Sequence, residues 1–321
     1  MKPEVIWTNR VDARANCDAY DDAMLELMEK DPRYVHIDCD LLGCINGKRI
    51  KAAHPERLFN AGIAEANAVG VAAGLASTGM VPFVHSFGVF TSRRAFDQAF
   101  LSAGYSEWPV HLIGTDPGVT AANNGATHMP FEDGALYLTV PNAMVLDPCD
   151  YAETYALTKQ SAAYPQLTYM RLIRKNFKTV YADGSEFEIG KGVVLKDGTD
   201  VTIIASGIMV SNALEAWELL KAEGISAALI DMHTWKPLDE KLLLEYAEKT
   251  GAVVTAENHQ AYCGLGSAIA NVLAKNHPVP QEFIGIQNRY GQAAFQNYLE
   301  QEYGLTGKDI AEAAKKAIAR K

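Results

Sequence analysis

A chain of 321 residues has room for two domains of ordinary size. Its content of 48% apolar and 21% charged residues is typical of a soluble globular protein. A net charge of −10 argues against nucleic acid or an anionic membrane as the main partner, although local arginines can still build a pocket for an anionic substrate.

In chain order, helices and strands alternate. Residues 18–29 carry a helical apolar spacing through Ala19, Ala23 and Leu27. Tyr34–Asp38 reads as a strand ending in acidic residues. A small-residue helix is expected over 67–78, a strand over 81–85, a helix over 91–103 and strands over 110–114, 145–147 and 167–171. Residues 177–198, with glycines, charges and short extended pieces, read as a connection. A second unit starts at Asp200, with a strand into a turn over 201–207, an amphipathic helix over 210–223, and strands at 227–231, 252–256 and 282–286. The expected fold class is therefore α/β, two parallel-sheet domains over 1–180 and 200–321, joined by 181–199. Parallel sheets bind ligands beyond the carboxyl ends of their strands. Asp38, Ser86, Asp116 and Arg171 all fall at such ends, which points to a site at one edge of the first sheet.

The cysteines, Cys17, Cys39, Cys44, Cys149 and Cys263, are odd in number and contain no C-x-x-C, so a reduced cytosolic chain is expected and no zinc site. Met1-Lys2-Pro3-Glu4 starts no signal peptide. Apolar runs are broken well before a membrane span is complete. A cytoplasmic location follows as an expectation.

Glu65 is the most informative residue. It stands in Phe59-Asn60-Ala61-Gly62-Ile63-Ala64-Glu65, just before Gly70, Ala72, Ala73 and Gly74. Ionising a carboxylate among such packed residues is costly unless something compensates, and a buried carboxyl suits proton sharing with a basic nitrogen. Further along come Val84-His85-Ser86-Phe87-Gly88-Val89-Phe90, Arg94-Ala95-Phe96-Asp97-Gln98, Gly125-Ala126-Thr127-His128, Phe131-Glu132-Asp133 and Pro141-Asn142, then Ala256-Glu257-Asn258-His259 and Gly264-Leu265-Gly266. In order and spacing this series resembles the thiamine diphosphate-dependent transketolases, from about Arg14 to about Arg289. It covers their pyrimidine-binding and C-terminal domains.

The resemblance implies roles. Glu65 would hydrogen-bond the cofactor's aminopyrimidine and make its imino tautomer accessible, while Phe87 and Phe90 enclose that ring. Asp40, a better match than Asp38, would lie near the thiazolium. His128 would contact donor-sugar hydroxyls near the reacting carbon. Arg174, rather than Arg171, would grip a substrate anion. Glu257, His259 and the neighbouring glycines would build the dimer and the rim of the site, not its chemistry. Three positions depart from the family. Arg93 stands where some members have a third aromatic, Asp116 where a histidine is common and Asn124 where an aspartate is common. Asp116 and Asn124 put the standard sugar phosphates in doubt and, with Cys44 in place of a phosphate-contacting serine, raise substrates with a modified terminus, such as sulfonated or branched sugars.

Whole transketolases begin with a diphosphate-binding domain whose Gly-Asp-Gly stretch and later Asn hold Mg2+ and the diphosphate. Asp183-Gly184 and Asp197-Gly198 are the nearest fragments here, and both read as turns. The chain thus resembles the C-terminal subunit of a split transketolase with no metal ligands of its own. Its implied partner is an N-terminal transketolase subunit carrying the diphosphate and Mg2+ site. The implied assembly is a homodimer through this chain within a heterotetramer. The implied reaction moves a two-carbon ketol unit from a ketose to an aldose through a covalent thiamine diphosphate adduct, on sugar or sugar-phosphate substrates. Three alternatives stay open: the beta subunit of a 2-oxoacid dehydrogenase first component, a deoxyxylulose phosphate synthase (disfavoured by length), and a non-catalytic regulatory paralogue.

Overall fold

The computed structural model describes residues 3–321. Met1 and Lys2, half of the stretch read for a signal peptide, lie outside the described residues. A seven-stranded sheet forms the first layer system. Its order is Thr234–Lys236, Met144–Leu146, Thr168–Leu172, His111–Thr115, Val81–Phe87, Tyr34–Asp38, Leu58–Asn60. All neighbours are parallel except the first pair. The central strands are buried on both faces, which explains their near-continuous apolar sequences. Their register sets Phe87 beside Thr115 and Thr115 beside Leu172, with Asp38 beside His85. The carboxyl ends therefore make one ledge.

A second sheet has the order Gln281–Ile286, Val253–Gln260, Val201–Ala205, Ala227–Asp231, Val193–Lys196. Its edge strand Val193–Lys196 runs antiparallel and comes from the stretch read as a connection. Val11–Ala15 pairs with Asn176–Lys178 in a small antiparallel ribbon.

Two features differ from the expected elements. The single helix expected over 91–103 is a π-helical turn at Phe90–Arg94, a short α-helix at Phe96–Gln98 and a π-helical segment at Ala99–Tyr105. The Thr91 hydroxyl donates to the Phe87 and Gly88 carbonyls, and the Ser92 hydroxyl to Gly88, taking acceptors that an α-helical ladder would use. The strand Thr234–Lys236 returns from the second unit to pair with Met144–Leu146 of the first sheet. Its Trp235 packs so closely on Gly134 that a Cβ there would lie 2.4 Å from the indole.

The two sheets are tied by Arg171. Fully buried, it reaches Asp133 at 3.0 Å and Asp147 at 3.1 Å, and donates to the Asn258 carbonyl of the second sheet at 2.8 Å. Burial works against the Asp133 carboxyl, but Arg171 holds it below its usual range. For Asp147 burial wins and the carboxyl is pushed up, against the pull of Arg171. The Asn258 side chain accepts from Val119 N–H and donates to Pro117 O, locking the loop beyond His111–Thr115. Gly118 in that loop has φ +54, and a Cβ on it would lie 2.1 Å from Asn258 Oδ1, so only glycine fits.

Candidate active site

Glu65 is the first residue of the helix Glu65–Ser77 and is 1% exposed. Its Oε1 accepts from Ser86 Oγ at 2.9 Å and its Oε2 from Arg94 at 2.8 Å. Ser86 comes from the end of Val81–Phe87 and Arg94 from the first π-helical turn, so three elements converge on one carboxylate. Helix N-termini favour negative charge, which adds to the same stabilisation. Each carboxylate oxygen keeps a further lone pair for a ligand donor.

Phe87, Phe90 and His128 form a mutual edge-to-face cluster. Ring centroids are 6.1 Å apart for the two phenylalanines and 5.4 and 5.3 Å from each to His128. Phe90 and His128 are half-buried and present the cluster to solvent. Arg94 lies 3.9 Å over the Phe90 ring, linking the aromatic cluster to Glu65. His128 Nδ1 is 2.9 Å from Thr127 Oγ1. Arg93 points the other way, to Glu132 at the rim, at 2.9 Å.

On the far side of Phe87 stand Asp116 and Arg174. They make a two-contact ion pair, and the guanidinium lies 5.6 Å from the Phe87 centroid. Burial pushes the Asp116 carboxyl up, against the pull of Arg174. Beneath them His85 Nδ1 donates to Asp38 Oδ1 at 2.9 Å, with Thr115 Oγ1 3.4 Å from its Nε2. Burial is the largest single influence on Asp38 and opposes its ionisation, but the His85 hydrogen bond and charge, His36 and the Leu41 amide together hold the carboxyl below its usual range.

The structure thus gathers Glu65, Phe87, Phe90, His128, Asp116 and Arg174 at one ledge. Asp40 is exposed on a left-handed turn (φ 63) and accepts from Asn60, whereas Asp38 is buried under the site. Asn124 is exposed on the loop before His128. Arg171 is walled inside the protein, away from any ligand. Sequence reasoning placed Ser86 at a strand end by the site but gave it no role, and it did not single out Arg94. The signal for Arg94 was its place at the head of the Arg94-Ala95-Phe96-Asp97-Gln98 stretch, next to Arg93. The turn fragments Asp183 and Asp197 are exposed and pair with Arg14 and Lys249. Glu257 accepts from the Leu265 and Gly266 amides, both at 2.8 Å, and so caps a helix of the second unit.

Among the described residues no helix is long and apolar enough to cross a membrane. Residues 12–179 match the transketolase pyrimidine binding domain and residues 190–310 the transketolase C-terminal domain. A 6-deoxy-6-sulfo-D-fructose transketolase subunit of a Clostridium species is 44% identical over 95% of this chain and 94% of that protein. One of the subunits of an apulose-4-phosphate transketolase from Phocaeicola vulgatus is 35% identical over 92% of this chain and 95% of that one. A solved structure described as a split gene transketolase, inactive beta4 tetramer, has a TM-score of 0.89 at 41% identity, covering 97% of this chain and all of that one. With both domains matched in order and relatives of this similarity along nearly its whole length, the chain belongs to the transketolase family.

Proposed function

We propose that this chain is the pyrimidine-side subunit of a two-subunit transketolase that moves a two-carbon ketol unit from a ketose to an aldose. The observation that carries this reading is the buried Glu65 carboxylate, braced by Ser86 and Arg94 beside the Phe87, Phe90 and His128 rings. The set fits the aminopyrimidine end of thiamine diphosphate: an anionic acceptor for a ring nitrogen and flat apolar walls for the ring. When bound, that cofactor supplies the carbon nucleophile that carries the two-carbon unit.

Glu65 would hold the ring-nitrogen proton, and Ser86 and Arg94 keep it in place. His128 would exchange hydrogen bonds with hydroxyls beside the reacting carbon, a role that imidazole performs near neutral pH. Asp116, Asn124 and Arg174 would read the rest of the donor, with Arg93 at the rim. The Mg2+ and diphosphate belong to an N-terminal partner subunit, because the sequence here carries no Gly-Asp-Gly stretch. The surface next to Glu65 suits such a partner. Ile63 is 76% exposed, and Asn67, Gly70, Val71 and Gly74 form an exposed small-residue face on the same helix. The inactive state named for the similar split-gene beta tetramer also favours a required partner. We propose two copies of each subunit in the active assembly, in the cytoplasm.

The test is calorimetric titration of thiamine diphosphate with Mg2+ into this chain alone and into its complex with the partner. Binding only in the complex, lost in Glu65→Ala, is the expected result. Tight binding to the isolated chain overturns the divided site. No binding in either preparation favours a regulatory paralogue.

A further inference from the structure

Two guanidiniums, Arg94 and Arg174, lie against the aromatic cluster and Arg93 stands at its rim; each is matched by a carboxylate. Arg93 pairs with Glu132, Arg94 with Glu65 and Arg174 with Asp116. The third pair is the most committed. Asp116 is fully buried; Arg174 Nε donates to its Oδ1 at 3.2 Å, and Nη2 lies 3.0 Å from its Oδ2, which has no hydrogen-bond donor among the described residues. Asp116 also adopts φ 58, unusual for a residue with a Cβ, so the backbone accepts strain to place it there. Arg174 Nη1 meets the Cys44 sulfur at 3.5 Å, a weak acceptor, so the outer edge of the guanidinium is not used up by the pair. The guanidinium carbon lies 5.6 Å from the Phe87 ring centroid.

We propose that the Asp116–Arg174 pair sets the charge of the donor's distal end, admitting a singly charged terminus such as a sulfonate and disfavouring a phosphate dianion. The inference rests on the ketol-transfer reading and narrows its substrate class. A guanidinium already matched to a buried carboxylate offers a hydrogen-bond edge with little net charge. One negative charge can share that edge. A second one meets the Asp116 carboxylate in a place where solvent screens poorly, and like charges there repel. Lys175 is the remaining nearby cation; it is exposed, so water and salt weaken its reach.

The test uses the two-subunit complex. Binding of inorganic phosphate and of methanesulfonate is measured by calorimetry below and above the second ionisation of phosphate. Cys17, Cys44, His85 and Lys175 lie close enough to act on the pair and act on both probes, so methanesulfonate corrects for their titration. Phosphate is expected to bind at least about tenfold more weakly as the dianion, with methanesulfonate unchanged. Equal or tighter binding of the dianion overturns the proposal. Asp116→Asn is expected to remove the discrimination and to lower KM for a phosphate-ended ketose relative to a sulfonate-ended one by about tenfold, with kcat moving less. An unchanged KM ratio overturns it. If that variant does not fold, the two probes on the unmodified complex still decide. Absence of ketol transfer to every donor, with the discrimination between probes intact, would sink the ketol-transfer reading and leave the charge filter standing.

Discussion

Arg94 holds the Glu65 carboxylate at 2.8 Å from outside, keeping 44% of its own side chain exposed while Glu65 is 1% exposed. The pair is therefore asymmetric: one charge is solvated and the other depends on its partner. Replacing Arg94 by Met leaves Ser86 as the remaining hydrogen-bond donor to Glu65. We expect a loss of about 1–3 kcal/mol in urea unfolding, below the range for fully buried pairs because Arg94 is half in water. Glu65→Gln in the same background should recover part of that loss, and strict additivity of the two changes would contradict direct coupling.

Arg171 poses the opposite case, with both partners buried. Arg171→Met leaves Asp133 and Asp147 without their guanidinium, and the Asn258 carbonyl without its donor. A cost of about 3–5 kcal/mol is expected. Chemical denaturation that shows less than about 1 kcal/mol would mean the two acids are held by something else.

The pH dependence of stability has a defined sign. Glu153 of the first unit and Asp231 of the second lie side by side around the Cys149 thiol, fully buried, each with one carboxyl oxygen that has no donor among the described residues. One carboxyl can donate to another only when it carries a proton. Burial pushes both upward, so the fold keeps a proton that the unfolded chain releases. Their stabilisation is complete below about pH 4 and is lost as pH rises through the raised values, with a slope of up to about 1.4 kcal/mol per pH unit per proton. Asp231→Asn retains a donor without a charge. Its melting temperature should fall less steeply on the alkaline side than that of the unmodified chain, and parallel curves would exclude the shared proton.

Gly264 marks a site of close approach. A Cβ there would lie 1.8 Å from Glu257 Oε2 and 2.7 Å from His259 Nδ1. Burial pushes the Glu257 carboxyl up to about 7, with the amides of Leu265 and Gly266 pulling it back. Gly264→Ala forces that carboxylate off the helix end. A loss of at least about 2 kcal/mol is expected in thermal or urea unfolding. A neutral outcome would mean the helix start can slide.

What the sequence revealed followed from burial and order. Tyr34–Asp38 and Ala227–Asp231 are strands almost wholly buried inside the sheets, and their bounds were legible to the residue. Glu65, Phe87, Phe90 and His128 lie far apart in sequence, yet their ordered motifs announced a shared site. What stayed hidden depends on tertiary geometry. Nothing local separates Arg93 from Arg94; the π-helical turn decides which one faces Glu65. Arg171 and Arg174 differ because the first lies within a buried strand and the second beyond its end. Thr234–Lys236 is a three-residue strand whose existence depends on a distant edge to pair with.

That strand, with Arg171, also bears on how this protein can be divided. The second unit finishes the first unit's sheet, and the first unit's arginine binds a carbonyl on the second unit's strand Val253–Gln260. A protease cutting the exposed turn around Gly184 would nick the chain without releasing either half. By the same reasoning, a chimera that exchanges the C-terminal unit with a relative's must carry Trp235 and a matching Gly134 together, because the seam between the units is one packed core rather than a tether.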